Sequence, residues 1–463
     1  MIFIRTSQFP MDLTKDSVIK LLVTLAYFWL WSHCPPVVLS APQTCRPESA
    51  RCIYDTLNLS SDGLRRLRAS AREHLETYQI EVQRLITPHS DGVLLNIVSA
   101  FANKIVYNRY HESVFNIPPT SRLIQITLES APQLETITAV APNKYLTTLN
   151  VKQARFRRIP DSFRNLRELG YVTFVDTSLE TVSLEPFVNC PNITTLLVSS
   201  NKIRFLEASP NAELVIPLTD LVLSNNQLES IDGAFFAPLT QLRYLNLESN
   251  RIQRVVGRPI SLPQIRYVTL ADNQLLTLNF TRWHVPEMVE IFLERNNLTR
   301  IPVGMERLSK VVTLVLPYNK LFAADLRRLE GWNHLIKIDL SNNRLRTVMV
   351  SGKGRLTLPN LEILELANNQ LTKLDYPRWN FPKLSSLSLI YNQLTRLPNL
   401  GQLFPALRRA ALFQNPLSCT TIRQWQELIT SYKLSVDSIA PGRPCTWNGT
   451  VTLPSGRVYC CVA

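Results

Sequence analysis

The chain has 463 residues, 45% of them hydrophobic and 19% charged, a balance that excludes wholesale disorder. Its 13 glycines are too few for collagen, glycine-rich linkers or glycine-rich calcium repeats. Fifty basic against 36 acidic side chains give a net charge of +14, so nucleic acid, anionic membranes and acidic partners stay open until the charges are placed along the chain.

The first predicted element is Leu21–Trp31, LLVTLAYFWLW, with Lys20 just before it. Eleven apolar residues are too few to span a bilayer, which needs about 20. Small and polar residues follow, and Val38 and Ser40 stand at the −3 and −1 places of a signal-peptidase site. Residues 1–40 therefore read as a cleaved secretory signal. Cleavage would remove Arg5, Lys15 and Lys20 against Asp12 and Asp16, so that +14 becomes +13, and would take Cys34 from the eight cysteines. The odd count of seven points to a free thiol or an intermolecular bond. Sequons at Asn58, Asn192, Asn279, Asn297 and Asn448 are candidate glycosylation sites and agree with secretion. No later segment is long and apolar enough to predict a membrane span.

Residues 41–122 are expected to form an N-terminal cap. Cys45 and Cys52 are expected to close a short disulfide loop. Leu64, Leu67, Ala71, Leu75, Tyr78, Val82 and Leu85 recur at steps of three and four, which predicts an amphipathic helix from about Asp62 to Leu85. It serves either as a capping helix or as a short coiled coil. Residues 86–122 carry no clear motif and have room for one or two degenerate repeats.

From Leu123 the pattern LxxLxLxxNxL recurs 13 times. Two clear copies are LTDLVLSNNQL from Leu218 and LEILELANNQL from Leu361, and the twelve intervals from Leu123 to Leu407 give a mean period of 23.7 residues. This resembles the leucine-rich repeat family, matching about 123–419. The LxL core predicts a short strand with its leucines inward. One repeat cannot bury its apolar face alone, so neighbours stack into a continuous core. The ninth-position asparagine recurs ten times, from Asn201 to Asn415. Buried there, its amide is expected to satisfy backbone groups where the chain leaves the strand. The first three units have Ala131, Ala154 and Thr177 instead, which predicts a less regular end. The expected fold is an α/β leucine-rich repeat horseshoe of about 13 repeats over 123–417. Its concave sheet would run about 60 Å at about 4.8 Å per strand.

Residues 418–463 are expected to form a cysteine-containing C-terminal cap. NPLSC, ending at Cys419, leads into an apparent helix, TIRQWQELITSY, then Cys445 and the adjacent Cys460 and Cys461. This resembles the cysteine-rich cap of extracellular leucine-rich repeat proteins. Adjacent cysteines resist bonding to each other. Cys460 is expected to complete the cap with Cys419 and Cys445, leaving Cys461 as the candidate for an intermolecular disulfide. Cys190 reads as a buried small apolar residue.

Signal, repeats, cysteine cap and closing Cys-Cys pair together resemble the mosquito leucine-rich immune protein family, in a form without the usual coiled coil after the paired cysteines. The resemblance implies innate immune recognition, disulfide-linked dimers, and contact with a thioester-containing complement-like protein or another leucine-rich repeat protein. The alternative reading is a matrix or cell-adhesion protein that binds glycans or receptors.

The third, fifth, seventh and eighth positions of each repeat are expected to face the concave side. They collect nine acids against four bases, Lys152, Arg295, Lys337 and Arg409. The positive charge falls instead at the twelfth and thirteenth positions, where Arg157, Arg158, Arg204, Arg254, Arg300, Arg346, Lys373 and Arg396 face only Glu180 and Glu229. That edge is either a solvated flank or a rail for polyanions. A groove built for phosphate would collect lysine and arginine, so nucleic acid is not expected. Tyr244 and Tyr267 share a column, Phe292 and Tyr318 continue the row, and Asp272, Glu290 and Glu294 lie among them. Large aromatics beside charges suit a protein-binding hot spot, although tyrosine also simply suits strands. No GxSxG, Walker, GxGxxG, HExxH or CxxC motif is present, which predicts neither enzyme nor cofactor.

Overall fold

In the computed structural model, residues 43–46, 50–60, 63, 65, 67, 78–86, 92–438, 445 and 447–463 are described. The expected signal segment, 1–40, lies outside them. One sheet of 18 strands forms the concave face. Its strands are parallel and paired in sequence order, except that Gln43–Arg46 runs antiparallel to Arg51–Tyr54 at the edge. This is a leucine-rich repeat solenoid.

The alternation predicted from LxL is seen directly. In Tyr244–Asn246 the central Leu245 is buried while its neighbours are half-exposed. The same inward column runs through Leu221, Leu245, Val268, Ile291, Leu314 and Ile338, each 0% exposed. Burying such a side chain stabilises by about 1.5–3 kcal/mol, and every repeat supplies several. Trp332 closes one outer turn, its indole N–H donating to the Met305 carbonyl at 2.9 Å.

The asparagine ladder ties each repeat to the one before it. Asn226 Nδ2 donates to the carbonyls of Leu223 (3.0 Å), Ser224 (3.1 Å) and, one repeat earlier, Val198 (3.0 Å). Its Oδ1 accepts from Ile203 N at 3.1 Å, also one repeat earlier. The residue before the ninth position is left-handed in twelve successive repeats, from Gln153 to Gln414, with φ between 51° and 57°. None of the twelve is glycine, and αL costs an L-residue roughly 1–2 kcal/mol. Where asparagine follows, the amide bonds on either side of the turn hold that conformation.

The alanine- and threonine-bearing end differs from expectation in an orderly way. Its strands are longer: Thr148–Lys152 and Tyr171–Val175 have five residues, against three in the asparagine repeats. Without an amide capturing the carbonyls, the chain stays extended further before turning. Thr177 fills the vacancy in part, its hydroxyl donating to Asn201 Oδ1.

The N-terminal region is corrected. The predicted helix to Leu85 is not what the chain forms over residues 78–85. Gln79–Val82 is a strand that pairs in parallel with Arg51–Tyr54 on one side and Lys104–Tyr107 on the other. Leu85–Ile86 pairs with Leu57–Asn58. Gly63, Arg65 and Leu67 are helical; the rest of the predicted helix lies outside the described residues. The solenoid therefore begins before Leu123, with three further parallel strands of the concave sheet beyond which Gln43–Arg46 pairs antiparallel. At the other end Leu434–Ser435 adds a strand beyond Arg409–Ala411.

The cysteine expectations are borne out at Cys45–Cys52 and corrected in the C-terminal cap. Cys45 bonds Cys52, Cys419 bonds Cys461, and Cys445 bonds Cys460. Cys461 is 0% exposed and is spent within the chain, so it is no candidate for an intermolecular bond. Chain reversal between Cys445 and Cys460 brings the hairpin Gly449–Thr452/Val458–Cys461 over the helix Cys419–Gln424, which separates the two adjacent sulfurs onto different partners. The predicted cap helix is broken at Trp425 into Cys419–Gln424 and Gln426–Thr430, and the buried Trp425 indole donates to Pro398 O at 2.9 Å.

Cys190 is the free thiol among the described residues and is buried. Its Sγ lies 3.3 Å from Leu166 O and 3.5 Å from Phe163 O, and burial pushes its pKa up to about 12. The thiolate is the reactive form. Native protein at pH 8 should resist thiol-specific alkylation, and denatured protein should take up one label per chain; mass spectrometry reads both.

Candidate binding surface on the concave sheet

Strand register decides which predicted residues meet. Tyr244 pairs with Tyr267, and Tyr267 with Glu290, so these three stand side by side across adjacent strands. Phe292 is the other outward residue of Glu290–Phe292 and sits beside Thr269. Tyr244, Tyr267, Glu290 and Phe292 thus form one block on the concave face. Tyr267 is exposed, while Tyr244 and Phe292 are half-buried. Asn246 Nδ2 donates to the Tyr244 hydroxyl at 3.2 Å and so orients that ring.

Asp272, Glu294 and Tyr318 lie along the rim, where each chain segment turns out of the sheet. Arg295 links two of them. Its Nε is 3.9 Å from Asp272 Oδ1, and its guanidinium carbon is 5.1 Å from the centre of the Tyr318 ring. These residues hold the left-handed position of successive repeats, with φ of 51°, 53° and 55°. Tyr318 therefore belongs to a rim row, not to the block around Phe292. Tyr391 continues that column and Phe413 lies beside it toward the C-terminal end, both exposed. The same column position could have flagged Tyr391 in the sequence.

Charge pairing sharpens the picture. Three of the four concave bases are consumed internally: Lys152 by Glu129 at 2.6 Å, Arg295 by Asp272, and Lys337 by Asp339 at 3.9 Å. Glu248, Glu290 and Glu294 have no cationic partner within 4 Å among the described residues. Glu294 Oε2 is buried and accepts no hydrogen bond. Burial raises the pKa of Glu294; its own backbone N–H opposes this, and the charges of Glu248, Asp272 and Asp339 add to the rise. These acids and Arg295 extend the patch beyond the residues chosen by aromatic spacing.

A raised carboxylate pKa has a definite sign in stability. The contribution is fully present below the unfolded value, about 4.3, and is lost as pH rises through the folded value. Glu294→Gln should therefore raise the melting temperature at pH 7, and the gain should vanish at pH 4. Equal gains at both pH values would assign the effect to packing and not to charge.

The sequons fall on varied ground. Asn192, Asn279 and Asn448 are exposed, and Asn58 and Asn297 are half-exposed. Asn279 Oδ1 already accepts from Thr281 N (2.9 Å) and Thr281 Oγ1 (2.7 Å). Among the described residues, no group of three or more His, Cys, Asp or Glu could hold a metal ion. No helix among them is long and apolar enough to cross a membrane.

Comparison with known proteins agrees with the repeat fold. The leucine rich repeat family matches residues 216–275. Podocan-like protein 1 of Homo sapiens is 25% identical over 404 residues, which span 73% of this chain and 75% of that protein. Keratocan of Danio rerio is 27% identical over 222 residues, 46% of this chain and 60% of that protein. Among solved structures, the TLR13 chain of a TLR13–ssRNA13 complex superposes with a TM-score of 0.52 at 18% identity, covering 83% of this chain and 64% of that one, and shows the shared fold.

Proposed function

We propose that the chain is an extracellular binding protein of the matrix or cell-adhesion type, which captures a basic segment of a protein partner on its concave sheet. One observation carries this reading. Uncompensated carboxylates at Glu248, Glu290 and Glu294 surround the outward aromatics Tyr244, Tyr267 and Phe292 on a continuous sheet. Aromatic anchors beside desolvated charge are what protein hot spots use. The relatives being extracellular matrix proteins supports the setting, as do three internal disulfides, which persist in oxidising compartments. The basic edge supports a second contact in the same setting, with glycans. Arg158, Arg204, Arg254, Arg300, Arg346, Lys373 and Arg396 are all exposed.

Innate immune recognition, with a thioester-containing complement-like protein or another leucine-rich repeat protein as partner, is the second reading. It is supported by the order of leader, repeats and cysteine cap. The disulfide-linked dimer that went with it loses its cysteine, because Cys461 is bonded to Cys419.

The test is biolayer interferometry of the secreted protein against a panel of purified extracellular matrix proteins. The double variant Tyr267→Ala/Phe292→Ala should weaken the strongest interaction by about 2–4 kcal/mol, a loss of thirtyfold or more. Unchanged affinity would remove the concave face from the proposal. Raising salt should weaken this contact less than one made by the basic edge.

A further inference from the structure

The outer side of the solenoid carries its own short parallel ladders, and they are interrupted. Val114–Asn116 pairs with Thr136–Thr138, and the next ladder starts only at Thr181–Ser183, which pairs with Phe205–Glu207. The repeat between them reads RFRRIP from Arg155 to Pro160 and forms no strand at that level. Pro160 has no N–H to offer a ladder, and it opens a short 3-10 helix, Asp161–Asn165. The interruption leaves the outer edge of Thr136–Thr138 without a paired strand. A cleft of about 740 Å³ occupies the gap, lined by Glu135, Thr136–Thr138, Arg155, Arg157, Arg158 and Pro160–Ser162.

The charges in this cleft are left apart. Arg157 pairs with Glu180 at 3.6 Å. The guanidiniums of Arg155 and Arg158 have neither ion-pair nor hydrogen-bond partner among the described residues, and the carboxylates of Glu135 and Asp161 likewise have none. Two free cations and two free carboxylates thus face one opening without neutralising each other. A bare inorganic anion would satisfy only the arginines. A ligand with an anionic group and several hydroxyl donors would satisfy both sets. Ser162 Oγ already donates to Ile137 O at 3.1 Å, and Thr138 Oγ1 to Asn116 Oδ1 at 3.3 Å, so these hydroxyls are held in place. The volume is in the range of small-ligand sites, roughly 300–1,000 Å³.

We infer that this cleft binds an acidic saccharide unit of a sulfated glycan, with Arg155 and Arg158 on the sulfate and Glu135 and Asp161 accepting from sugar hydroxyls. The inference deepens the glycan arm of the proposed function and rests on it. It turns a diffuse basic edge into one anchored site, from which a longer polyanion would continue past Arg204 and Arg254.

The experiment is isothermal titration calorimetry of the full secreted protein at about 0.15 M salt, with a heparin-type sulfated hexasaccharide, its desulfated counterpart and sodium sulfate. All six side chains to be changed are exposed, so folding is not at stake. The sulfated hexasaccharide should bind and the desulfated one should not. Arg155→Ala/Arg158→Ala should cost about tenfold or more in affinity, as expected for charge-assisted bonds. Arg300→Ala/Arg346→Ala, taken from the distant edge, should cost less than about twofold. Glu135→Gln/Asp161→Asn should weaken the saccharide severalfold, because carboxylates accept more strongly than amides. Tighter binding in that carboxylate variant, or competition by free sulfate as effective as the saccharide, would overturn the saccharide site in favour of a simple anion site. Equal losses from both arginine pairs would overturn the cleft while leaving glycan binding along the edge intact. No binding of the hexasaccharide by the unaltered protein would remove both.

Discussion

Asn273→Ala lowers the unfolding free energy by about 3 kcal/mol, the sum of one lost amide network and the buried groups it leaves unpaired. Asn273 Nδ2 donates to Leu247 O (2.9 Å), Leu270 O (3.1 Å) and Ala271 O (3.0 Å), and its Oδ1 accepts from Ile252 N at 2.9 Å. Two of these four bonds reach back to the preceding repeat. Alanine would leave those carbonyls and one N–H dry in the middle of the solenoid, and would leave Asp272 held at φ 51° with less to hold it. In a repeat protein each interface couples only neighbours, so the damage should be local at first. Chemical denaturation followed by circular dichroism should show the lower midpoint, and hydrogen exchange should rise first over residues 244–295. A loss under about 1 kcal/mol would mean that water replaces the amide and that the ladder contributes little.

The second large effect concerns the C-terminal cap. The Cys419–Cys461 bond closes a sequence separation of 42. In the chain-entropy account such a loop stabilises by about 4 kcal/mol, and native bonds of this kind typically contribute 2–4. Cys419→Ala/Cys461→Ala should therefore lower the melting temperature and loosen the C-terminal cap, since Cys419 begins the helix that packs against the closing hairpin Gly449–Thr452/Val458–Cys461. The single change Cys461→Ser should act in a different way. It frees Cys419 as an unpaired thiol in an oxidising compartment, so non-reducing electrophoresis should show more disulfide-linked dimer than the unaltered protein. If the unaltered protein instead gave a dimer that vanished in Cys461→Ser, the internal bond would be the wrong pairing.

Both predictions bear on how the proposed surfaces are built. The concave block depends on strand register, because Tyr244, Tyr267 and Glu290 meet only while successive repeats stay aligned. The asparagine ladder maintains that alignment. The outer cleft depends on the opposite condition, a repeat that fails to continue its neighbours' outer ladder. Binding features thus arise on the inner face from repetition and on the outer face from its interruption.

The sequence by itself determined the repeat, its inward leucines, the ladder asparagines, the outward columns and the segregation of acids from bases. Each of these is a local, periodic property. Strand alternation places every second side chain on one face, and 13 copies make the pattern unmistakable. Three things needed the tertiary structure. The first is the state of residues 78–85. Tyr78, Val82 and Leu85 fit helical spacing, while Ile80 and Val82 equally fit a strand; the flanking strands Arg51–Tyr54 and Lys104–Tyr107 decide the matter by pairing with both edges. The second is the partner of each cysteine, which depends on where a hairpin folds back and not on spacing along the chain. The third is the charge balance at each point of the surface. Counting acids and bases gave the sign of the concave face, but only distances show that Lys152, Arg295 and Lys337 are already consumed while Glu294 has no cationic partner. A coulombic contact falls off with separation, and separation between repeats is a property of the folded chain alone.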